Sequence, residues 1–123
     1  MKITNKKAYF NYEIKDTFEA GIVLTGAEVK SIRGGRCNLS NAYVKVIDNQ
    51  LWLVNADIAK YKYDGSSDYD SCRSRKLLVK RSEINKLQGK LKQARLTLIP
   101  VSVYTTRNLI KVEVGLGKGK RKY

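Results

Sequence analysis

The chain has 123 residues and a mass of 14.0 kDa, with 42% hydrophobic residues, enough for one compact core and too few for two. Lys and Arg number 25 against 11 Asp and Glu, which gives a net charge of +14 and a pI of about 9.9, and there is no histidine at all. That absence removes Ser-His-Asp and Cys-His couples, the HExxH zinc helix and any side chain that titrates unperturbed near neutral pH, so catalysis is not expected.

Residues 8–15 alternate, with Ala8, Phe10, Tyr12 and Ile14 on one side and Tyr9, Asn11, Glu13 and Lys15 on the other, the pattern of a half-buried strand. Asp16-Thr17 reads as a turn. Residues 18–24 form a second strand with Gly21 at a bulge or sharp coil. Thr25-Gly26-Ala27-Glu28 fits a capping box, in which Thr25 caps the backbone N–H of Glu28 and Glu28 reaches back. A short helix over 27–33 then ends at Gly34-Gly35, with the first glycine left-handed. Residues 42–47 and 50–56 are two β-rich runs joined by Asp48-Asn49, the clearest hairpin in the chain.

Residues 60–74 hold Tyr61, Tyr63, Gly65, Ser66, Ser67, Asp68 and Tyr69 and read as an exposed loop. Residues 76–79 are extended or enter a helix. Over 81–93, Ile84, Leu87, Gln88 and Leu91 fall at helical spacing, and Lys80, Lys86, Lys90 and Lys92 make the other face cationic. Two further strands, 96–105 and 109–116, are joined by Thr106-Arg107-Asn108, with Pro100 arguing for an edge or a bulge. Residues 117–123, glycine and charge, are expected to stay unpacked unless a partner orders them. The sum is about six strands and two to three helices: mainly β with flanking helices, an OB-like closed antiparallel barrel over 1–116, with a ferredoxin-like sheet as the other possibility.

A surface this basic attracts polyanions, nucleic acid first. The charge is unevenly placed: +1 over residues 1–70 and +13 over 71–123, with no linker between them, so one face of a single domain should be a basic patch. No apolar run approaches the ~18–20 residues of a spanning helix and the N-terminus lacks a signal-peptide core, so no membrane and a cytoplasmic location are expected. Cys37 and Cys72 lack a CxxC partner or a second ligand set. A disulfide is possible, but free thiols are the expectation, and neither a metal nor another cofactor is implied.

Gly115-Leu116-Gly117-Lys118-Gly119-Lys120 invites a phosphate-loop reading, but the Walker spacing and its Ser/Thr are missing; a flexible arm along a nucleic-acid backbone suits it better. Arg73-Ser74-Arg75-Lys76 is a second basic cluster. The tyrosines are either base-stacking platforms or, as for Tyr43 and Tyr104, packing groups. Glu19 and Glu28 are too isolated to be an acid/base pair and default to a strand edge and a helix cap. A metal-dependent RNA-processing enzyme would need a carboxylate cluster that the scattered acids do not suggest.

From Glu19 to Gly35 the sequence EAGIVLTGAEVKSIRGG closely resembles the family of SsrA-binding protein, the small protein B of bacterial trans-translation. Asn5-Lys6-Lys7-Ala8, Asn38-Leu39-Ser40, Arg73 through Leu78, Glu83-Ile84, Leu87-Gln88-Gly89, Tyr104, Lys111 through Val114 and Gly117 through Lys120 fall in the family's order over almost the whole chain. The resemblance implies a non-enzymatic OB-like protein, a monomer in solution, that binds the tRNA-like domain of transfer-messenger RNA. With elongation factor Tu, it brings that RNA to the small-subunit decoding region and rRNA of stalled ribosomes for tagging of incomplete peptides. The positions that match the family's RNA-binding determinants are Asn5, Tyr12, Glu19, Leu78 and Lys111, with Lys118, Lys120 and Arg121 beyond them. The basic residues of the matching motifs, Lys6, Lys7, Lys30, Arg33, Arg73, Arg75 and Lys76, join them. A carboxylate such as Glu19 would accept from a base amino group or a 2′-hydroxyl, or hold a neighbouring lysine. The family continues past Tyr123 with a basic tail, so this polypeptide is expected to bind the RNA without supporting tagging. The alternative from composition alone is a ribosomal protein embedded in rRNA.

Overall fold

The computed structural model describes residues 1–65 and 68–120. In chain order the elements are β1 (Lys2–Thr4), α1 (Lys6–Asn11), β2 (Tyr12–Ile22), α2 (Gly26–Arg33), β3 (Cys37–Asn38), β4 (Tyr43–Ile47), β5 (Gln50–Val54), β6 (Asp57–Ile58), β7 (Arg75–Leu78), α3 (Arg81–Ala94), β8 (Thr97–Thr106) and β9 (Leu109–Gly119). Seven strands form one antiparallel sheet in the order β1-β8-β9-β2-β7-β5-β4, and β3 pairs with β6. The class is mainly β with three helices, as expected, but the sheet is not closed into a barrel. It coils far enough that β4, at one edge, approaches β8 near the other without ladder pairing.

The core lies between the inner face of this sheet and helices α2 and α3. Ala20, Leu51, Leu53, Leu77, Val103, Val112 and Val114 alternate inward along their strands, and Ile32, Ile84 and Leu87 meet them from the helices. No helix among the described residues is long and apolar enough to cross a membrane.

Several elements differ from the sequence reading for identifiable reasons. Residues 6–11 are a helix instead of the start of a strand, and α1 buries Ala8 against the outer face of the sheet. Asp16-Thr17 is not a turn: β2 runs through it, with the register shift between Ile14 and Asp16 and not at Gly21. Gly21 is where β2 takes both neighbours, opposite Lys111 of β9 and Leu78 of β7. At the end of α2 the left-handed residue is Gly35 (φ +76°), not Gly34; Arg36 N–H donates to Ser31 O at 2.9 Å and Gly35 N–H to Ile32 O at 2.9 Å, a Schellman closure.

Both long hairpins turn on two residues with positive φ, Asp48-Asn49 as read and Arg107-Asn108 without Thr106, which stays in β8. Pro100 marks a bulge, since the β8–β9 register shifts between Pro100 and Ser102, and β8 is an interior strand. Residues 117–119, expected to be unpacked, belong to β9 and pair with Tyr12, Glu13 and Ile14. Residues 121–123 of that expectation lie outside the described ones. Cys37 and Cys72 are free thiols, and burial pushes the Cys37 thiol up to about 11.

Candidate nucleic-acid interface

Alternation along the strands sends one set of side chains to the outer face of the sheet. Register then lines them up across five strands: Lys2 opposite Tyr104, Tyr104 opposite Lys111, Lys111 opposite Gly21, and Gly21 opposite Leu78. The adjacent row runs Thr4, Ser102, Glu113, Glu19. Three residues proposed from the sequence, Glu19, Leu78 and Lys111, are thereby brought together on one surface although they are far apart in the chain. Leu78 is 52% exposed, an aliphatic side chain left in solvent between charges. It also lines a groove with Phe18, Glu19, Val79, Lys80 and Glu83.

The partner of Glu19 comes from the neighbouring row, and it is a residue that the sequence reading assigned to packing. The Tyr104 hydroxyl donates to the Glu19 carboxylate, and burial together with that hydrogen bond pushes the phenol up to about 12. Tyr104 therefore fixes the direction in which Glu19 presents its remaining acceptor positions. Its place in an alternating strand and in the family's order does not reveal the facing carboxylate 85 residues away.

A second group gathers at the far end of β9, around α1. Lys6, Lys7, Lys118 and Lys120 are exposed, and Tyr12 is half-buried. Lys120 is tethered: its N–H donates to Asn11 O at 2.8 Å and its Nζ to Tyr9 O at 2.8 Å. Asn5, Lys7, Tyr12, Ser40, Asn41 and Tyr43 line a cleft of about 250 Å³ here. Asn5 itself is buried, and its side-chain amide donates to Pro100 O at 2.9 Å while its backbone N–H donates to Val101 O at 2.8 Å. It secures the β8 bulge and shapes the cleft wall more than it offers a free amide. Arg121 lies outside the described residues.

The cluster Arg73 to Lys76 divides. Arg75 is 0% exposed and enters the core, which corrects its assignment as a surface contact. Its guanidinium donates to Glu28 Oε2 at 2.8 Å, to Ala56 O at 2.8 Å, and to Ser71 O and Tyr69 Oη at 3.0 Å each. Arg73 adds a 3.1 Å hydrogen bond from Nε to Glu28 Oε2 and a second pairing to Oε1, so it is largely engaged, with part of its side chain still at the surface. Glu28, 1% exposed, closes the capping box with Thr25 as read, but its main work is in this buried cluster. Burial alone would raise its carboxyl; the hydrogen bonds from Arg73, Thr25 and Arg75 outweigh it and hold the carboxyl at about 2. Lys76, by contrast, points outward with Leu78.

Lys30 and Arg33 sit on the exposed side of α2, away from the sheet row. Lys30 Nζ lies 5.3 Å from the ring centre of Tyr61, and Arg33 donates to Asn108 O at 3.1 Å, tying α2 to the β8–β9 turn.

The chain is similar to known proteins over nearly its whole length. The family model described as SmpB protein matches residues 2–123. SsrA-binding proteins from Dehalococcoides mccartyi (strain ATCC BAA-2266 / KCTC 15142 / 195), Sulfurihydrogenibium sp. (strain YO3AOP1) and Trichormus variabilis (strain ATCC 29413 / PCC 7937) are 48%, 50% and 49% identical. They cover 98%, 98% and 95% of this chain, which spans 70%, 79% and 76% of their lengths. A solved chain described as "tmRNA-SmpB: a journey to the center of the bacterial ribosome" superposes with a TM-score of 0.79 at 40% identity, covering 99% of this chain and 86% of that one. The chain belongs to the SmpB family of SsrA-binding proteins.

Proposed function

We propose that this protein binds transfer-messenger RNA at its tRNA-like domain and delivers it to stalled ribosomes for trans-translation, acting in the cytoplasm as a monomer and without catalysis. The observation that carries the reading is the pair of adjacent rows on the outer face of the sheet. There Lys111, Leu78 and a Glu19 held by Tyr104 form a mixed cationic, apolar and acceptor surface on one rigid face. Cations alone would attract any polyanion. A fixed acceptor and an exposed aliphatic beside them suit contact with the sugar edge and bases of a folded RNA. The family relationship and the ribosome-associated relative support the same conclusion, and they do not favour a ribosomal protein embedded in rRNA. Elongation factor Tu is the expected companion in the delivered complex.

A gel shift with the isolated tRNA-like domain at two salt concentrations tests this. Glu19→Ala and Lys111→Ala should each weaken binding, Lys111→Ala also flattening the salt dependence by about one unit of slope. Undiminished binding by both variants would leave only nonspecific attraction and sink the proposal. Residues 1–123 alone are further expected to bind the RNA without supporting tagging; normal tagging on stalled ribosomes by this polypeptide refutes that part.

A further inference from the structure

We propose that the outer face of β4, β5 and β7 is a second RNA contact, in which Trp52 is the stacking platform for an unpaired base and Lys45 and Lys76 hold the flanking phosphates. This rests on the RNA-binding reading above and adds a site to it. In β5, Leu51 and Leu53 are buried, so the alternation turns Trp52 to the other side of the sheet, where it is half-buried. Register places Lys45 of β4 directly opposite Trp52 on one flank and Lys76 of β7 directly opposite it on the other. Directly opposite residues have Cβ atoms ~4.5–5.5 Å apart, so the indole is bracketed by two long cationic side chains.

Beside it lies a hollow of about 390 Å³ lined by Ile47, Asp48, Gln50, Trp52 and Ser74. Ile47 and Tyr43, 43% and 48% exposed, project from β4 on the same face, and β4 ends the sheet. An aromatic face between cations, with apolar and amide neighbours, is the combination by which proteins hold single-stranded nucleic acid. Asp48, at the hairpin tip, is the one acid lining the hollow. The strip is also continuous with the row of Lys111 and Leu78, because Lys76 and Leu78 lie two apart on β7 and face the same way. Its occupant is an unpaired RNA segment, for which the two lysines supply charge complementarity.

Trp52 is the only tryptophan in the chain, so its fluorescence reports on this site alone. A single-stranded oligouridylate should quench its emission, with the quenching reversed by salt, whereas a fully paired RNA duplex should not. Trp52→Phe should keep the oligouridylate affinity within about twofold, and Trp52→Leu should weaken it about tenfold, the scale of a lost stacking contact. Lys45→Ala, on the exposed edge strand, should weaken it several-fold and serves if Trp52→Leu does not fold. Unchanged emission with the single strand, or equal affinity of Trp52→Leu, overturns the site. Glu19 and Tyr104 are untouched by these variants. A failure here therefore leaves the response of tRNA-like domain binding to Glu19→Ala and Lys111→Ala as a separate measure of the functional reading.

Discussion

At the scale of single residues, the chain's most conspicuous basic cluster is partly an internal strut. Glu28 receives Arg73, Arg75 and the Tyr69 hydroxyl, and through them α2, the segment 69–73 and β7 are tied to one carboxylate. Removing one member of such a buried set strands the other charges, and Glu28→Ala should destabilise by about 3–5 kcal/mol in denaturant titrations. The same carboxyl predicts an acid sensitivity. Its ordinary value is 4.5 and the folded protein holds it at about 2, so its contribution is complete above pH 4.5 and is lost as the pH falls toward 2. Acid unfolding followed by circular dichroism should show a decline over that window which is smaller in Glu28→Gln. The capping box was readable because its two partners are three residues apart. Arg73 and Arg75 lie 45 and 47 residues from Glu28, and only the fold brings them in. By composition a run such as Arg73-Ser74-Arg75-Lys76 reads as a surface, but of its three cations Arg75 is inside, Arg73 is largely engaged, and Lys76 turns outward, half-buried, beside the exposed Ser74.

At the scale of elements, the glycines that suggested a phosphate loop have a different cause. Ile14, Ile99 and Val101 crowd over the glycines of β9, and Ile99 and Val101, like Ala8 of α1, are buried apart from the main core. A Cβ at Gly115 would stand 2.9 Å from Val101 Cγ2 and 3.2 Å from Ile14 Cγ2. Gly115→Ala should therefore cost about 1–3 kcal/mol, measured by chemical denaturation, as overpacking does in a tight core. The end of α3 offers the opposite opportunity. Arg95 closes it at φ +52°, a left-handed conformation that costs a residue with a Cβ about 1–2 kcal/mol, and Arg95→Gly should raise the melting temperature. Hairpins and the two longer helices were legible because each carries its own local signature, positive-φ residues at a turn or apolar spacing over two turns and more. The six residues of α1 are too few to show a helical period, and Ala8, Phe10, Tyr12 and Ile14 mimic an alternating strand.

For the whole molecule, the excess positive charge that begins at residue 71 does not become one patch among the described residues. Part of it is consumed inside, at Arg75; part lines the outer face of the sheet, at Lys76 and Lys111; and part lies at the α1 end, at Lys118 and Lys120. This predicts a division among variants. Lys111→Ala and Lys118→Ala should each lower the slope of log affinity against log salt by about one for the tRNA-like domain, while Arg75→Met should alter the unfolding midpoint and leave that slope alone. Fold class was legible from the density of short strands, whereas closure was not, because it depends on how far seven strands coil and not on any one of them. The long strand β9 sets a geometric condition on whatever the protein meets. Lys111 and Lys118 are seven residues apart along it, about 23 Å at ~3.3 Å per residue, and an odd separation turns the two lysines toward opposite sides. The strand is thus a spacer of set length with a charge facing each way at its ends. A single RNA that touches both must wrap around the protein, and otherwise the protein stands between two separate surfaces and holds them apart.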